Sequence, residues 1–128
     1  MSGVDRAADR FRTAMGCHRV ADVEDLLAPD VVFHSPVVHR PYRGRDQLMP
    51  VLYAVSVVLE DFAYGETYRS EDDGHVLAFS ARVGDRRIDG VDIITVDGHG
   101  LISELTVMMR PFSGLSALRD AMAAQLAD

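Results

Sequence analysis

The chain has no tryptophan, no lysine and a single cysteine in 128 residues. One thiol, Cys17, excludes an intramolecular disulfide and any multi-cysteine metal site. It stands at the end of an amphipathic segment, where a buried or half-buried thiol is the plainer reading than a nucleophile. Long apolar runs are also missing, and none approaches the roughly 20 residues that span a bilayer. Residues 1–6 carry no basic stretch leading into an apolar one, so no signal peptide is expected and a cytoplasmic location is the default. Basic charge is scarce. The 13 basic residues, all arginine, face 20 acidic ones, for a net charge of −7. Phosphate backbones need clustered Lys and Arg, whereas these arginines are dispersed among Asp and Glu, so no nucleic acid is expected as partner. A neutral ligand suits this charge better than a polyanion, although a local pocket can depart from the net value.

What is present fits one globular domain over 1–128. Hydrophobic residues make up 48% of the chain, enough to bury a core without disulfides or metal. Val4, Ala8, Phe11 and Met15 recur at helical spacing over 4–16, with Asp5, Arg6, Asp9, Arg10 and Arg12 mostly opposite. A short second helix is expected over 20–27, ended by Pro29-Asp30. Val31 to Ser35 is β-branched and aromatic and reads as a strand. An irregular loop with Pro36 and Pro41 follows. From Arg45 to Glu60 the spacing is helical again, with Pro50 tolerated in a first turn and kinking the helix if deeper.

The second half changes period. Phe62 to Arg69, Val76 to Val83, Arg86 to Val96 and Leu101 to Met109 read as antiparallel strands. Their connectors are a polar turn at 71–74, a two-residue turn at Gly84-Asp85 and a glycine-containing loop at 97–100. A last helix follows Pro111, with Ser113 or Ser116 as cap and Leu115, Leu118, Met122 and Leu126 on one face. Helices set before a run of antiparallel strands predict an α+β domain in which the sheet curls around the long middle helix. The hollow of that curl is either filled by side chains or left as a pocket.

Three stretches carry a family resemblance: Leu26-Leu27-Ala28-Pro29-Asp30-Val31-Val32-Phe33, Tyr42-Arg43-Gly44-Arg45-Asp46, and Gly90-Val91-Asp92-Ile93-Ile94-Thr95-Val96-Asp97-Gly98. In this order and spacing the chain resembles the nuclear transport factor two-like superfamily, with its ketosteroid isomerases and SnoaL-like polyketide cyclases. The resemblance implies a cone-shaped curved antiparallel sheet wrapped around helices, the cystatin-like α+β barrel. It also implies a small apolar ligand, and a homodimer through the outer sheet face that bears Thr106, Met108, Val91 and Ile93. The fold hosts unrelated functions, so the site has to decide the activity.

In the isomerase branch a first-helix tyrosine and a strand acid donate hydrogen bonds to a developing oxyanion, and an aspartate before a proline moves the proton. Carried onto this sequence, these positions are Phe11, Asp92 and Ser35, so two of the three groups are replaced. In the epoxide hydrolase branch an Asp-Arg-Asp set activates water. Arg87-Ile88-Asp89 has the right short spacing but lies a strand late, and the second aspartate position is Val107.

Two residues are the catalytic candidates. His34 lies beside the replaced base position, and its ordinary pKa suits proton transfer near neutrality. Alternation puts His34 with Val32 on one strand face and Phe33 with Ser35 on the other, without saying which faces inward. Its plainer role is a rim histidine bonded to backbone or water. Asp92 interrupts an apolar strand and must be partnered, exposed or protonated. In an apolar pocket it would donate a hydrogen bond or orient His34. The expected ligand-binding set is Phe11, Met15, Tyr53, Tyr64, Ile94, Leu105, Val107 and Met109; the same pattern also suits a filled core. His39, Arg43 and Arg45 read as solvated loop charges or as a mouth lining. His18, His75 and His99 match no metal spacing, and no metal or organic cofactor is expected. The expected function is a cofactor-independent isomerase or cyclase moving a proton on a small apolar carbonyl compound. The rival is a non-catalytic binding or dimerisation module of the same fold.

Overall fold

A computed structural model of the protein describes residues 3–71 and 74–127, and side chains from residue 6 onward. The side chains of Val4 and Asp5, and Asp72 and Asp73 at the centre of the expected turn, therefore lie outside what is described. Helix α1 (Gly3–Gly16) buries Ala7, Ala8, Phe11, Ala14 and Met15, the stripe that its spacing predicts. The expected short second helix is a stretch of 3₁₀ helix (Val20–Leu26) that buries Val20, Val23 and Leu26. Strand β1 (Leu27–His34) then runs straight through Pro29-Asp30 instead of starting after it. A register shift against its neighbour between Leu27 and Val32 accommodates the proline, which lacks a ladder donor.

The loop returns through the two-residue strand β2 (Tyr42–Arg43), which the sequence does not announce. Gly44, at φ 85°, turns the chain into α2 (Arg45–Val58), a backbone setting that disfavours any side chain. Pro50 lies in the second turn, and α2 continues through it, with Leu48, Met49, Val51, Leu52 and Ala54 buried around it.

Strands β3 (Glu60–Arg69), β4 (His75–Val83), β5 (Arg86–Val96) and β6 (Ile102–Arg110) form an antiparallel meander, and β1 joins β6 in parallel. The curved open sheet has the order β2-β1-β6-β5-β4-β3. The expected two-residue hairpin is present. Gly84 takes a positive φ of 60° at its first position, and Val83 pairs with Arg86.

Helix α3 (Phe112–Leu126) is capped by Pro111 with no side-chain bond, so the serine cap expected at Ser113 or Ser116 is not used. Leu118 of α3 packs with Leu59, Ala81 and Ile88 in a second, smaller core. The larger core joins α1, α2 and the concave sheet face. Among the described residues no helix is long and apolar enough to cross a membrane.

The close approach of α3 to the sheet depends on Gly114. A Cβ there would stand 2.7 Å from the Arg87 carbonyl oxygen and 2.9 Å from Ile88 Cγ1. Gly114→Ala is expected to lower stability by about 1–3 kcal/mol despite the better helix propensity of alanine. A urea titration checks this, and an unchanged or raised midpoint contradicts the packing described.

Candidate active site

Strand alternation and register assemble the site on the concave face. Phe33 pairs with Leu105, Ile94 with Leu105, Asp92 with Val107, and Gly90 with Met109. On the far side Tyr64 pairs with Phe79, and Phe79 with Gly90. Gly90 makes room for this row: a Cβ at that position would lie 2.6 Å from Phe79 Cζ and 3.0 Å from Met109 Cγ. The inward residues of five strands thus meet the apolar stripes of α1, α2 and α3 around one hollow.

That hollow is a cavity of about 220 Å³. Phe11 and Met15 come from α1, and Val51, Leu52 and Val55 from α2. Phe62, Tyr64, Phe79, Asp92, Leu105, Val107 and Met109 come from the sheet. The mouth lies between the loop after β1, with Val37 and Val38, and the second half of α3, with Arg119, Ala123 and Leu126. These five residues are exposed, whereas Phe11 and Leu105 are fully buried.

One carboxyl group stands in this apolar wall. Asp92 is 7% exposed, and Tyr64 donates a hydrogen bond from its phenol to Oδ2 at 2.9 Å. The phenol crosses strand β4 to reach it, a span the curl of the sheet shortens. Tyr64 is fixed by an edge-on contact with Phe62 at 4.8 Å and one with Phe79 at 6.3 Å. The Arg12 guanidinium lies 5.6 Å from the ring centre and is itself tied to Thr67 Oγ1 at 2.8 Å.

Burial penalises the charged carboxylate and pushes the Asp92 pKa up to about 7, against the bond from Tyr64, which lowers it. Burial, then the charge of Asp92 and the bond to it, raise the Tyr64 phenol well above its ordinary range, with Arg12 opposing. The pair therefore offers one group that gives and takes a proton near neutrality, and a phenol that stays protonated to hold it.

Six of the expected ligand-binding residues line the cavity: Phe11, Met15, Tyr64, Leu105, Val107 and Met109. The other two do not. Ile94 is fully buried in the filled core beside Leu105, and Tyr53 is 48% exposed on the solvent side of α2. His34 also requires correction. Phe33 takes the inward face of β1, so alternation turns His34 outward, where Nε2 meets Glu104 Oε2 at 2.8 Å. His34 and Asp92 are on opposite faces of the sheet and do not form a pair. His39, Arg43 and Arg45 also lie outside the cavity wall, and Arg45 instead donates to the Leu27 carbonyl.

Ser35, at the replaced base position, does line the cavity. Its Oγ accepts the N–H groups of Val37 at 3.0 Å and Val38 at 3.3 Å, which leaves its own hydroxyl hydrogen to donate. The sequence reading missed Arg119, although it falls on the same helical stripe as Leu115, Met122 and Leu126.

The model of the SnoaL-like domain matches residues 8–105. The chain belongs to the SnoaL-like family. It is similar to a steroid delta-isomerase from Pseudomonas aeruginosa, with 38% identity and a TM-score of 0.95 over 99% of this chain and 93% of that one. A bacterial protein with a cystatin-like fold from Silicibacter pomeroyi is 33% identical, with a TM-score of 0.89 over 94% and 85% of the two chains. A candidate SnoaL-like polyketide cyclase from Shewanella denitrificans, 16% identical at a TM-score of 0.69 over 91% and 97%, shares the fold. No curated protein matches the sequence. These likenesses agree with the nuclear transport factor two-like fold that the three sequence stretches imply.

The raised Asp92 pKa has a stability consequence. The folded chain holds this proton to about pH 7, whereas the unfolded chain releases it near 3.8. Stability therefore falls as pH rises between these values, by an order of a few kcal/mol, and stays lower above them. The SnoaL-like domain carrying Asp92→Asn is expected to gain melting temperature relative to wild type at pH 8 and to lose that gain at pH 4. A mutant-to-wild-type difference that is the same at both pH values contradicts the assignment.

Proposed function

We propose that this SnoaL-like protein is a cofactor-independent isomerase or cyclase that moves a proton on a small apolar carbonyl compound, with Asp92 as the acid–base group. One observation carries this: among the described residues Asp92 is the one carboxyl in the cavity wall, and its pKa of about 7 suits a general base at physiological pH. The likeness to a steroid delta-isomerase at 38% identity supports the isomerase class. The cavity, about 220 Å³, lies below the usual ~300–1,000 Å³ of drug-sized sites and favours a small substrate.

The Asp92 carboxylate takes a proton from the carbon next to the carbonyl. The C–H electrons move into the enolate, whose charge gathers on oxygen, and the Ser35 hydroxyl donates to that oxygen. Return of the proton from Asp92 to a different carbon completes an isomerisation. Attack of the enolate carbon on a second carbonyl carbon of the same molecule, whose π electrons move onto its oxygen and take up the proton from Asp92, completes a cyclisation. Tyr64 is a positioning residue that holds the carboxylate by its phenol. Relative to the isomerase pattern the roles are exchanged, since the strand acid works as base and the former base position supplies a donor.

A second reading has its own support. Phe11 and Ser35 replace two of the three isomerase groups, and His34 faces away, which suits a cavity that binds without turnover.

Deuterium uptake next to the carbonyl of a small apolar ketone, followed by NMR, separates these. The expected result is exchange that rises through pH 7, drops at least about a hundredfold in Asp92→Asn and persists in His34→Ala. A rate that falls through pH 7 makes Asp92 a donor rather than the base. Thermal stabilisation by the ketone without exchange leaves the binding reading.

The outer sheet face bears Val91, Ile93 and Met108, the last 56% exposed, and a second copy covering it would form a homodimer. Light scattering is expected to give a dimeric mass for wild type and a monomeric one for Met108→Arg. A monomeric wild type at micromolar concentration removes this part.

A further inference from the structure

We propose that the ligand of this cavity carries an anionic group, a carboxylate being the simplest, at the end opposite its carbonyl, and that Arg119 at the mouth binds it. The inference rests on the reading that the cavity takes an apolar carbonyl compound, and it narrows that class to keto acids.

The cavity has two chemically different ends. At the closed end the polar groups are Asp92 and Tyr64, already bonded to each other. At the mouth Val37, Val38 and Leu126 are 37%, 43% and 46% exposed, so the rim is apolar but wet. Among the described residues Arg119 is the one cationic side chain in the wall. It is held in place on α3: Nε donates to Asp120 Oδ1 and Nη2 to Ser116 Oγ, each at 3.2 Å. Nη1 has no acceptor among the described residues. One edge of a planar, permanently charged fork is thus left free beside the opening, the arrangement that suits a carboxylate.

Charge decides the orientation of such a ligand. An anion entering first would lose its water in an apolar wall and meet the carboxyl of Asp92, with no cation to pair with there. An anion trailing at the mouth keeps part of its hydration and pairs with Arg119. The carbonyl end then leads and arrives at Asp92. The protein as a whole, at −7, repels anions, so selection for one requires a local cation such as this. The Asp120 carboxylate beside Arg119 moderates the attraction, and the site is open to solvent, so the preference is modest and sensitive to salt.

Calorimetric titration with 2-nonanone and with 8-oxononanoate tests this. These probes share a carbon skeleton and differ in the terminal carboxylate. Wild type is expected to bind the keto acid about fivefold more tightly at low ionic strength, and the ratio is expected to shrink in 0.5 M salt. Arg119→Met, which keeps the apolar stem, is expected to bind both probes equally, and Arg119→Lys to restore part of the preference. Equal binding of the two probes to wild type, or a preference that survives Arg119→Met, overturns the anion site and leaves the cavity reading intact. Binding of neither probe to wild type overturns both.

Discussion

A carboxyl group enclosed by hydrocarbon has few ways to exist. It must find a cation, gather several donors, or keep its proton until solution is nearly neutral. Asp92 takes the third course. Among the described residues its hydrogen-bond partner is a single phenol, and burial outweighs that bond in setting its proton affinity. The surrounding construction serves this balance. Tyr64 is locked by Phe62, Phe79 and Arg12 so that its hydroxyl reaches one carboxylate oxygen. The hollow exists because glycine at position 90 lets aromatic and thioether side chains lie flat against the strand, and because α3 closes down over Gly114. Loosening either contact would admit water and return Asp92 toward ordinary behaviour.

The sheet order explains how distant segments of the chain share one cavity. The meander from β3 to β6 supplies Tyr64, Phe79, Asp92 and Val107 from successive strands. The parallel return of β1 beside β6 adds Phe33 and Ser35 at the opposite flank. Asp92 and Tyr64 come from strands, whose backbone ladder fixes their positions, while the loop after β1, which begins with Ser35, and the outer half of α3 shape the opening. Under the proposed function the same family framework would carry a changed set of functional groups, as expected when a fold outlasts any one activity.

Much of this was legible from residue pattern. The helical spacing of Ala8, Phe11 and Met15 and the two-residue turn at Gly84-Asp85 follow from local physics and match the structure closely. Asp92 was legible as a carboxylate breaking an apolar strand. The facing of His34 was not, because strand periodicity separates two faces without naming the inner one. Phe33 settles that question by packing against Leu105, a contact far away in sequence. Tyr53 and Ile94 failed for related reasons. A helix stripe does not reveal where its edge meets solvent, and an inward strand residue can lie in filled core one row below a cavity. The Tyr64–Asp92 bond depends on sheet curvature across an intervening strand, which no spacing rule encodes. Arg119 was hidden by its charge, since an arginine on a helix stripe reads as a solvated residue until the mouth beside it is known.

The central claim is that Asp92 is a neutral-range acid held by Tyr64 inside an apolar cavity. Following its side-chain carboxyl carbon by NMR through a pH titration of the wild-type protein tests this directly. The account predicts a midpoint near 7. A midpoint near 4, the ordinary value for aspartate, would contradict it.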